Sequence, residues 1–345
     1  MQRSSSAPLR RGRARSAVAT LADLGEMRLI ERLGSLLPRE PGWVVAGRGE
    51  DDTAVLEGPG RHLTLLTCDV QEEGRHFERS WIDPRTLGRR AAAVNLSDIA
   101  AMGGEPRVAL ASLMLPADLE LRWFDGILRG LGEGLAAYGA ALVGGNLSQT
   151  AQRLAIDITL LGRVTRRRLT RRRGARPGDR ILVTGWPGES AAGLALLQAR
   201  APRGKLQRRH LEPEPRVRAG QALAAGGVTA MIDISDGIAT DLSHLCDASG
   251  VDAEVDLSDV PVSGVMRRAA TRLGAEAHAW ILNGGEAYEL LCTAPPRRVA
   301  RLRRALGDLP LTDIGVVLPA RSGRWLLHDA DRHPLRTGGY EHFAR

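Results

Sequence analysis

The sequence predicts an α+β protein in which an N-terminal mixed-sheet domain is followed by an α/β domain. Its 345 residues suffice for about two domains of roughly 150 residues, and 43% hydrophobic residues suffice for a substantial core. The strand-like segments of the first half mix alternating and continuous apolar runs, whereas short apolar runs alternate with helical segments in the second half, as in helices layered on a sheet. The GARPGD turn, residues 174–179, separates the two patterns. We therefore predict domains over 23–173 and 174–345.

The first 22 residues are set apart by their composition, because they hold five arginines and no acidic residue. We expect them to form a disordered tail, and an organelle transit peptide is the alternative. Folded structure is predicted to begin at Asp23, where the spacing of LADLGEMRLIERLGSLL favours one amphipathic helix that ends at Pro38.

The remaining elements are predicted from apolar runs and from helix-start signals. Asp83 followed by Pro84 is typical of a helix N-cap and first turn, and Pro116 with Asp118 opens a second long helix. In the N-terminal domain we predict strands over 63–70, 108–115, 141–143 and 154–164, and helices over 84–102 and 118–138. In the C-terminal domain we predict a helix from 188 and strands near 181–184, 230–234, 288–292 and 312–317.

The net charge of +8 is typical of a nucleic-acid-binding protein, but its distribution argues against that class. Residues 1–22 carry five arginines and residues 163–176 carry eight, with no acid in either segment, so that the rest of the chain carries −5. Aromatic residues make up 3% of the chain and none lies within 163–176, so the stacking groups of a single-strand binder are missing. We expect no nucleic-acid partner, and a nucleic-acid-binding relative without catalysis is the alternative.

Apolar runs and cysteines exclude two further classes of protein. No uninterrupted apolar stretch approaches the roughly 20 residues that a membrane helix needs, so we expect no membrane span. The three cysteines, Cys68, Cys246 and Cys292, are widely spaced and form no CxxC pair, which argues against a disulfide framework and against a thiolate zinc site. This cysteine usage favours a reducing cytoplasm.

Acidic residues cluster beside small residues at the ends of predicted strands. The clusters are GEDDTAV (49–55), TCDVQEEGRHF (67–77), NLSDIAAMGG (95–104) and DISDG (233–237). Two carboxylates about 4 Å apart repel by roughly 4 kcal/mol at an effective dielectric constant near 20, so a site built from several of them needs cations. Oxygen ligands favour Mg²⁺, which commonly binds one or two carboxylates together with substrate phosphates. The clusters therefore predict a nucleotide site, although each one alone is also typical of a solvated turn or a helix cap.

The usual phosphate-binding loops are absent from the sequence. Lys205 follows Gly204 but precedes Leu206, Ala199 stands where a P-loop has its first glycine, and no GxGxxG segment follows a predicted strand. Phosphates would then be held by metal ions, backbone amides and arginine. The glycine pairs of GGNLS (144–148) and GGEAYEL (284–290) would let the backbone approach a ligand, and plain turns are the alternative.

Taken in order, the motifs resemble those of the thiamine-monophosphate kinases, a family in the superfamily that includes aminoimidazole ribonucleotide synthetase. The matching segments span 25–343 and read LGEMRLIERL, EDDTAVL, TCDVQEEGRHF, AVNLSDIAAMGGEP, VGGNLS, LTRRRGARPGD, VTGWPGESAAGL, IDISDGIATDLSHL, NGGEAYELL and GGYEHF. The resemblance implies a homodimer whose N-terminal sheets join into a barrel, with ATP bound in the cleft beside the α/β domain. It also implies that ATP and Mg²⁺ serve the in-line phosphorylation of thiamine monophosphate to thiamine diphosphate, which depends on positioning and charge neutralisation more than on a covalent nucleophile.

The resemblance also implies roles for individual residues. The implied magnesium ligands are Asp52, Thr67, Asp69, Asp98, Asp233 and Asp236, of which Asp98 and Asp236 are also assigned to catalysis. The implied nucleotide contacts are Gly145, Asn146, Arg172 and Ser235. The implied walls of the thiamine-phosphate pocket are His76, Glu286 and Tyr340, the last able to stack on a heteroaromatic ring. Because the acceptor phosphate is already ionised near neutral pH, a dedicated general base is not required.

Four positions depart from the family pattern. Glu50 replaces a glycine, Cys68 replaces a hydroxyl residue, Asn146 replaces the aspartate of many members, and Ala287 replaces the aspartate of the family's GGEDYEL. Because Ala287 lies in a motif assigned to the acceptor pocket, a kinase or synthetase of the same fold acting on another small phosphorylated acceptor is the main alternative function.

Overall fold

The computed structural model of the protein describes residues 20–329 and 331–339. Most of the predicted tail and Tyr340 lie outside these residues. The described chain begins with two helices, α1 (Leu21–Leu24) and α2 (Glu26–Leu36). One continuous helix was predicted here, and the break falls at Gly25, whose φ of 74° is left-handed. Within the described ranges, no helix combines the length and the apolar character needed to cross a bilayer.

The N-terminal half is built on a six-stranded sheet. Its strands are β1 (Val44–Ala46), β2 (Ala54–Glu57), β3 (His62–Glu72), β4 (Glu105–Pro116), β5 (Ala141–Thr150) and β6 (Ala155–Thr165). They are arranged in the order β1-β2-β3-β6-β4-β5, with β4 and β5 parallel and the other neighbours antiparallel. Burial alternates along β3 and β6, because helices cover one face of the sheet.

Two long helices, α3 (Pro84–Ala101) and α4 (Leu121–Ala136), pack on this sheet and on each other. As predicted, Asp83 caps α3, its carboxylate accepting hydrogen bonds from the backbone N–H groups of the two residues after Pro84, at 3.0 Å each. The helices approach closely at two glycines. A Cβ on Gly88 would lie 2.1 Å from the carbonyl oxygen of Ile127, and a Cβ on Gly130 would lie 1.9 Å from that of Arg85. This packing fixes the helix that carries NLSDIAAMGG against the sheet.

The C-terminal half is built on a seven-stranded sheet. Its strands are β7 (Arg180–Thr184), β8 (Ala230–Asp233), β9 (Asp252–Asp256), β10 (Leu290–Ala294), β11 (Leu311–Leu318), β12 (Trp325–His328) and β13 (Asp331–Pro334). Its helices are α5 (Glu189–Gln198), α6 (Lys205–Leu211), α7 (Val217–Gly226), α8 (Ile238–Ser249), α9 (Gly264–Leu273), α10 (Ala277–Asn283) and α11 (Pro296–Leu306). The strand order is β13-β12-β9-β11-β7-β10-β8, and every pair except β12–β9 is antiparallel.

The prediction of two sheet-based halves with packed helices is confirmed. The second sheet differs from the parallel sheet that alternating strands and helices favour, because its pairs are mostly antiparallel and, of its described strands, only β12 and β13 are both consecutive in the chain and spatial neighbours. The halves share a core, since one apolar cluster includes residues of both, and α3 packs against α7 and β8. A Cβ on Gly220 in α7 would lie 2.0 Å from the carbonyl oxygen of Ala100 in α3. This contact places the acidic motifs of the two halves on opposite sides of one cleft.

Candidate active site

A cleft of about 680 Å³ lies between the two halves, and it contains most of the residues that the sequence singled out. The sequence-predicted residues that line it are Asp52, Thr67, Asp69, His76, Asp98, Arg172, Asp233, Ser235, Asp236 and Glu286. They come from segments that are far apart in the sequence, from Asp52 to Glu286. The cleft therefore unites the acidic clusters with the predicted acceptor pocket.

The N-terminal half contributes one side of the cleft from β3 and α3. Thr67 and Asp69 are two residues apart on β3, so both side chains lie on the face that α3 covers. The Thr67 hydroxyl donates a hydrogen bond to the carboxylate of Asp98, and the Asp69 backbone N–H donates to the side-chain oxygen of Asn95 at 3.2 Å. The packing of α3 on the sheet thus brings Asp98 to the two β3 residues.

The C-terminal half contributes the DISDG turn between β8 and α8. The Ser97 hydroxyl of α3 donates to Asp233 at 2.5 Å and so joins the turn to the N-terminal half. Asp241, which the sequence did not single out, caps the turn: its carboxylate accepts from the backbone N–H groups of Asp236 at 3.2 Å and Gly237 at 3.0 Å. Asp241 thus satisfies the backbone N–H groups of the turn, and the side chains of Asp233 and Asp236 line the cleft.

The segment before β2 adds Asp52, which pairs with Arg172. The Arg172 Nη2 and Nε atoms lie 2.6 and 3.0 Å from Asp52 Oδ1, while Oδ2 is buried and has no hydrogen-bond partner in the described parts of the chain. Glu50 does not point into the cleft, since it is half exposed and pairs with Arg171 at 2.8 Å. The replacement of the family's glycine by Glu50 therefore does not remove Asp52 from the cleft.

We call Asp52, Asp69, Asp98, Asp233 and Asp236 the acidic cluster. Burial raises the pKa of Asp52 to about 7 and those of Asp233 and Asp236 to about 6. Burial also raises the pKa of Asp98 well above its ordinary value, and the charges of Asp69, Asp233 and Asp52 raise it further. Arg172 opposes these effects at Asp52 and Asp233. The acidic cluster is thus a set of crowded carboxylates that a bound cation would stabilise.

The donor set fits Mg²⁺, because it consists of oxygens and includes the unpartnered Oδ2 of Asp52. Among residues 20–329 and 331–339, no three Asp, Glu, His or Cys side chains converge closely enough to form a metal site on their own. An ion bound here would therefore take further oxygens from phosphates or from water, as Mg²⁺ commonly does.

His76 and Glu286 line the same cleft and are not members of the acidic cluster; we call the part of the cleft that they line the acceptor end. The Nδ1 atom of His76 accepts the backbone N–H of Glu72 at 3.1 Å, which fixes the ring orientation. The side chain of Glu286 is 24% exposed and ion-pairs with Arg90. Tyr288 also lines the cleft; its sequence pattern did not distinguish it from the rest of the GGEAYEL motif. Ala287 between them is 8% exposed and packs in the apolar core instead of lining the cleft.

Gly145 and Asn146 are not brought into this cleft. They lie on β5, where the register runs from Asp69 on β3 through Ile158 and Ala111 to Gly145. Three strand spacings of about 4.8 Å separate Gly145 from Asp69, or roughly 14 Å. Gly145 and Asn146 thus occupy an exposed edge strand of the same sheet.

The side chain of Cys68, on β3, faces away from the acidic cluster, and its Sγ atom lies 3.1 Å from Oδ1 of Asp157.

Comparison with known proteins agrees with this geometry. The family models of the AIR synthase related protein match in two parts, the N-terminal domain over 50–164 and the C-terminal domain over 176–326. Thiamine-monophosphate kinase of Escherichia coli (strain K12) is 39% identical over 302 residues, which cover 85% of this chain and 91% of that protein. Thiamine-monophosphate kinase of Salmonella typhimurium is 38% identical over 328 residues, covering 93% and 98%.

A solved structure of AaThiL complexed with AMPPCP and TMP superposes with a TM-score of 0.83 at 34% identity, covering 95% of this chain and all of that one. Both halves of the fold are included in this match. By sequence and by structure, the chain belongs to the thiamine-monophosphate kinase family.

Proposed function

We propose that the protein is an ATP- and Mg²⁺-dependent kinase that transfers the γ-phosphoryl group of ATP to thiamine monophosphate, forming thiamine diphosphate. The observation that carries this proposal is that one cleft is lined both by the acidic cluster with Arg172 and by His76 with Glu286. A phosphoryl transfer needs both a site for charged phosphates and a site that holds the acceptor in line. Thiamine-monophosphate kinases are the curated relatives of this chain, which supports the choice of acceptor.

In this proposal the acidic cluster, with the hydroxyl of Thr67, holds Mg²⁺ and the phosphates of ATP. When bound, Mg²⁺ supplies charge neutralisation for the transferring phosphoryl group. Asp98 from the N-terminal half and Asp236 from the C-terminal half act in catalysis, while Ser235 contacts the nucleotide. Arg172 is 23% exposed and already paired with Asp52, so its remaining N–H groups are able to meet a phosphate without leaving the acidic cluster.

The acceptor would lie at the His76 and Glu286 end. The thiazolium ring of thiamine is cationic, and the partly exposed carboxylate of Glu286 is the group that would face it. Tyr340 remains a proposed stacking partner for the heteroaromatic rings. The acceptor phosphate attacks as an ionised oxygen, so the residues at this end position it and exclude water without removing a proton.

The experiment for this proposal is incubation of the purified protein with Mg-ATP and thiamine monophosphate, followed by chromatographic detection of thiamine diphosphate. Matched reactions omit thiamine monophosphate or replace MgCl₂ with EDTA. Formation of thiamine diphosphate only in the complete reaction is expected. Its absence at every protein concentration would contradict the proposal.

The alternative acceptor motivated by Ala287 loses support from the structure, because this side chain faces the core. Ala287→Asp is therefore expected to give no gain in kcat/KM for thiamine monophosphate. It should lower the free energy of unfolding by about 1–3 kcal/mol, since an unpaired carboxyl group would be buried. Steady-state kinetics and thermal denaturation check both effects. A clear gain in acceptor kcat/KM would instead favour a pocket adapted to another phosphorylated compound.

We also propose the homodimer that the resemblance implied. β4 and its edge neighbour β5 expose large apolar side chains, with Leu110 48%, Val143 61% and Leu147 63% exposed. β5 is also the edge of its sheet, and its unpaired backbone groups are able to join a second sheet. Gly145 and Asn146 lie on this edge, and we propose that they contact the nucleotide in the dimer.

Leu147→Arg is expected to convert a dimer into a monomer, because an arginine would be buried in the apolar interface. Light scattering after size-exclusion chromatography gives the mass directly. Leu121→Arg is the matched control, since Leu121 is 72% exposed at the start of α4 and is not part of the edge strand, and it should remain dimeric. A monomeric wild type, or a dimeric Leu147→Arg variant, would contradict the proposed interface.

Nucleic-acid binding has little support in the arginine-rich segment 163–176. Four of its arginines are neutralised by carboxylates: Arg163 by Glu105, Arg166 by Glu57, Arg171 by Glu50 and Asp51, and Arg172 by Asp52.

The proposal retains the division of the chain into a tail over 1–22 and domains over 23–173 and 174–345. It also retains a reducing cytoplasmic location, for which the three free cysteines are the support.

A further inference from the structure

A buried arginine in α3 connects the two halves of the chain beside the acceptor end of the cleft. Arg90 is 1% exposed, and its guanidinium lies among oxygen acceptors from four separate segments. Its Nε donates to the side chain of Gln71 on β3 at 2.8 Å, and its Nη2 donates to the carbonyl oxygen of His76 at 3.3 Å. It also donates to two acceptors in the C-terminal half, the carbonyl oxygen of His210 and the carboxylate of Glu286.

Burying a guanidinium is costly unless its charge and its N–H groups are satisfied. Arg90 meets this condition with one carboxylate and three neutral acceptors, which together engage all three of its nitrogens. Two of these acceptors belong to His76 and Glu286, the residues of opposite halves that line the acceptor end of the cleft. The position of Arg90 therefore fixes the spacing between the two walls.

The loop that carries Glu286 has a backbone that needs such an anchor. Glu286 and Tyr288 have φ values of 59° and 51°, a left-handed conformation that costs a non-glycine residue of order 1–3 kcal/mol. Their backbone N–H groups bond the carbonyl oxygens of Ser235 at 2.7 Å and Ile234 at 2.9 Å. This conformation turns Glu286 and Tyr288 into the cleft and Ala287 into the core.

Arg90 is the side-chain anchor of this loop on the cleft side. One oxygen of Glu286 is held by Arg90, and the other lies 3.6 Å from Nδ1 of the buried His210. On the core side, the neighbouring Glu289 is held by the Thr184 hydroxyl at 2.7 Å and by Arg216 at 2.6 Å. Without Arg90, Glu286 would lose its charged partner and the His76 carbonyl would lose a donor.

We propose that Arg90 is a positioning residue for the acceptor, acting through Glu286 and the backbone of His76 to set the shape and charge of the acceptor end of the cleft. The inference rests on the proposed kinase function. It assigns Arg90 no contact with ATP, because Arg90 does not line the cleft and bonds none of the acidic cluster.

The test is a comparison of KM values for the two substrates in Arg90→Lys. A lysine keeps the positive charge but cannot reach four acceptors with a planar fork. We expect KM for thiamine monophosphate to rise about 10- to 100-fold, as for loss of a charge-assisted hydrogen bond. KM for ATP should stay within about threefold of wild type. Arg180→Lys, which makes the same change at the Arg180–Asp313 pair between β7 and β11 away from the cleft, is the matched control and should change neither KM.

A double-mutant cycle separates positioning from a general structural role. Glu286→Gln is expected to raise the acceptor KM as Arg90→Lys does, and the double variant should be no worse than the poorer single variant. Equal rises in both KM values, or fully additive effects, would overturn the inference. If Arg90→Lys does not fold, an unchanged acceptor KM in Glu286→Gln overturns it as well. A wild type that makes no thiamine diphosphate overturns the proposed function and this inference together, whereas an active wild type with a normal Arg90→Lys overturns the inference alone.

Discussion

Replacement of Asp98 by asparagine is expected to lower kcat/KM for phosphoryl transfer by about a thousandfold, without loss of stability. Asp98 lies at the centre of the acidic cluster, where burial and the charges of Asp69, Asp233 and Asp52 raise its pKa. An asparagine keeps an oxygen that accepts the hydrogen bond from Thr67 but removes the charge needed to hold Mg²⁺. Removing one of several crowded carboxylates also relieves repulsion, as is common where a site is built for function at the expense of stability.

The measurements for Asp98→Asn are steady-state kinetics and thermal denaturation with and without MgCl₂. In the absence of Mg²⁺, the variant should have a Tm equal to or above that of wild type, and MgCl₂ should raise its Tm less. Asp125→Asn is the matched control, because it makes the same change at an exposed ion pair with Arg129 on α4. Retention of wild-type activity by Asp98→Asn would show that the acidic cluster is not the phosphate site.

Replacement of Arg172 by methionine is expected to lower kcat/KM for ATP by about a hundredfold or more. The side chain bonds Asp52 at 2.6 Å and still has N–H groups to offer a phosphate. The same change leaves Asp52 buried without its partner, so stability should also fall, by about 3–5 kcal/mol. Initial-rate kinetics with ATP as the varied substrate and thermal denaturation check the two effects separately.

Arg166→Met is the matched control for this prediction. Arg166 lies in the same arginine-rich segment and pairs with Glu57, but it is 52% exposed and outside the cleft. We expect it to retain the activity and the stability of wild type within about 0.5 kcal/mol, as is usual for exposed ion pairs. If Arg172→Met and Arg166→Met behaved alike, a specific role for Arg172 would be excluded.

Local signals in the sequence were enough to predict the main elements of the N-terminal sheet and its first long helix. Asp83 before Pro84 is a strong N-cap signal, and α3 begins where it predicts. Alternation along β3 places Thr67 and Asp69 on one face, so their convergence follows from the two-residue period of a strand. The strand that carries Asp69 and the helix that carries Asp98 were therefore predicted without knowledge of any long-range contact.

Contacts that join distant segments were not predictable in this way. Ser97 bonds Asp233 across 136 positions, and Arg90 bonds Glu286 across 196. A buried arginine has no local signature, because its stability depends on acceptors supplied by other elements. The network around Arg90 was missed for that reason, as was the capping role of Asp241.

β5 shows the effect of context on a strand. The sequence predicted only 141–143, because the polar GGNLS segment lacks the apolar pattern of a buried strand. Parallel pairing with β4 extends the strand to Thr150, with its side chains largely exposed at the sheet edge. A surface that would be covered only in a dimer gives no core-like pattern within one chain.

In the proposed function, one cleft binds both substrates and a phosphoryl group passes directly from one to the other. The most direct measurement is to supply ATP labelled with ³²P at the γ-position, together with Mg²⁺ and thiamine monophosphate, and to locate the label in the products. We expect one labelled thiamine diphosphate for each ADP formed, with the label in the terminal phosphate. Release of labelled inorganic phosphate without labelled thiamine diphosphate would contradict it.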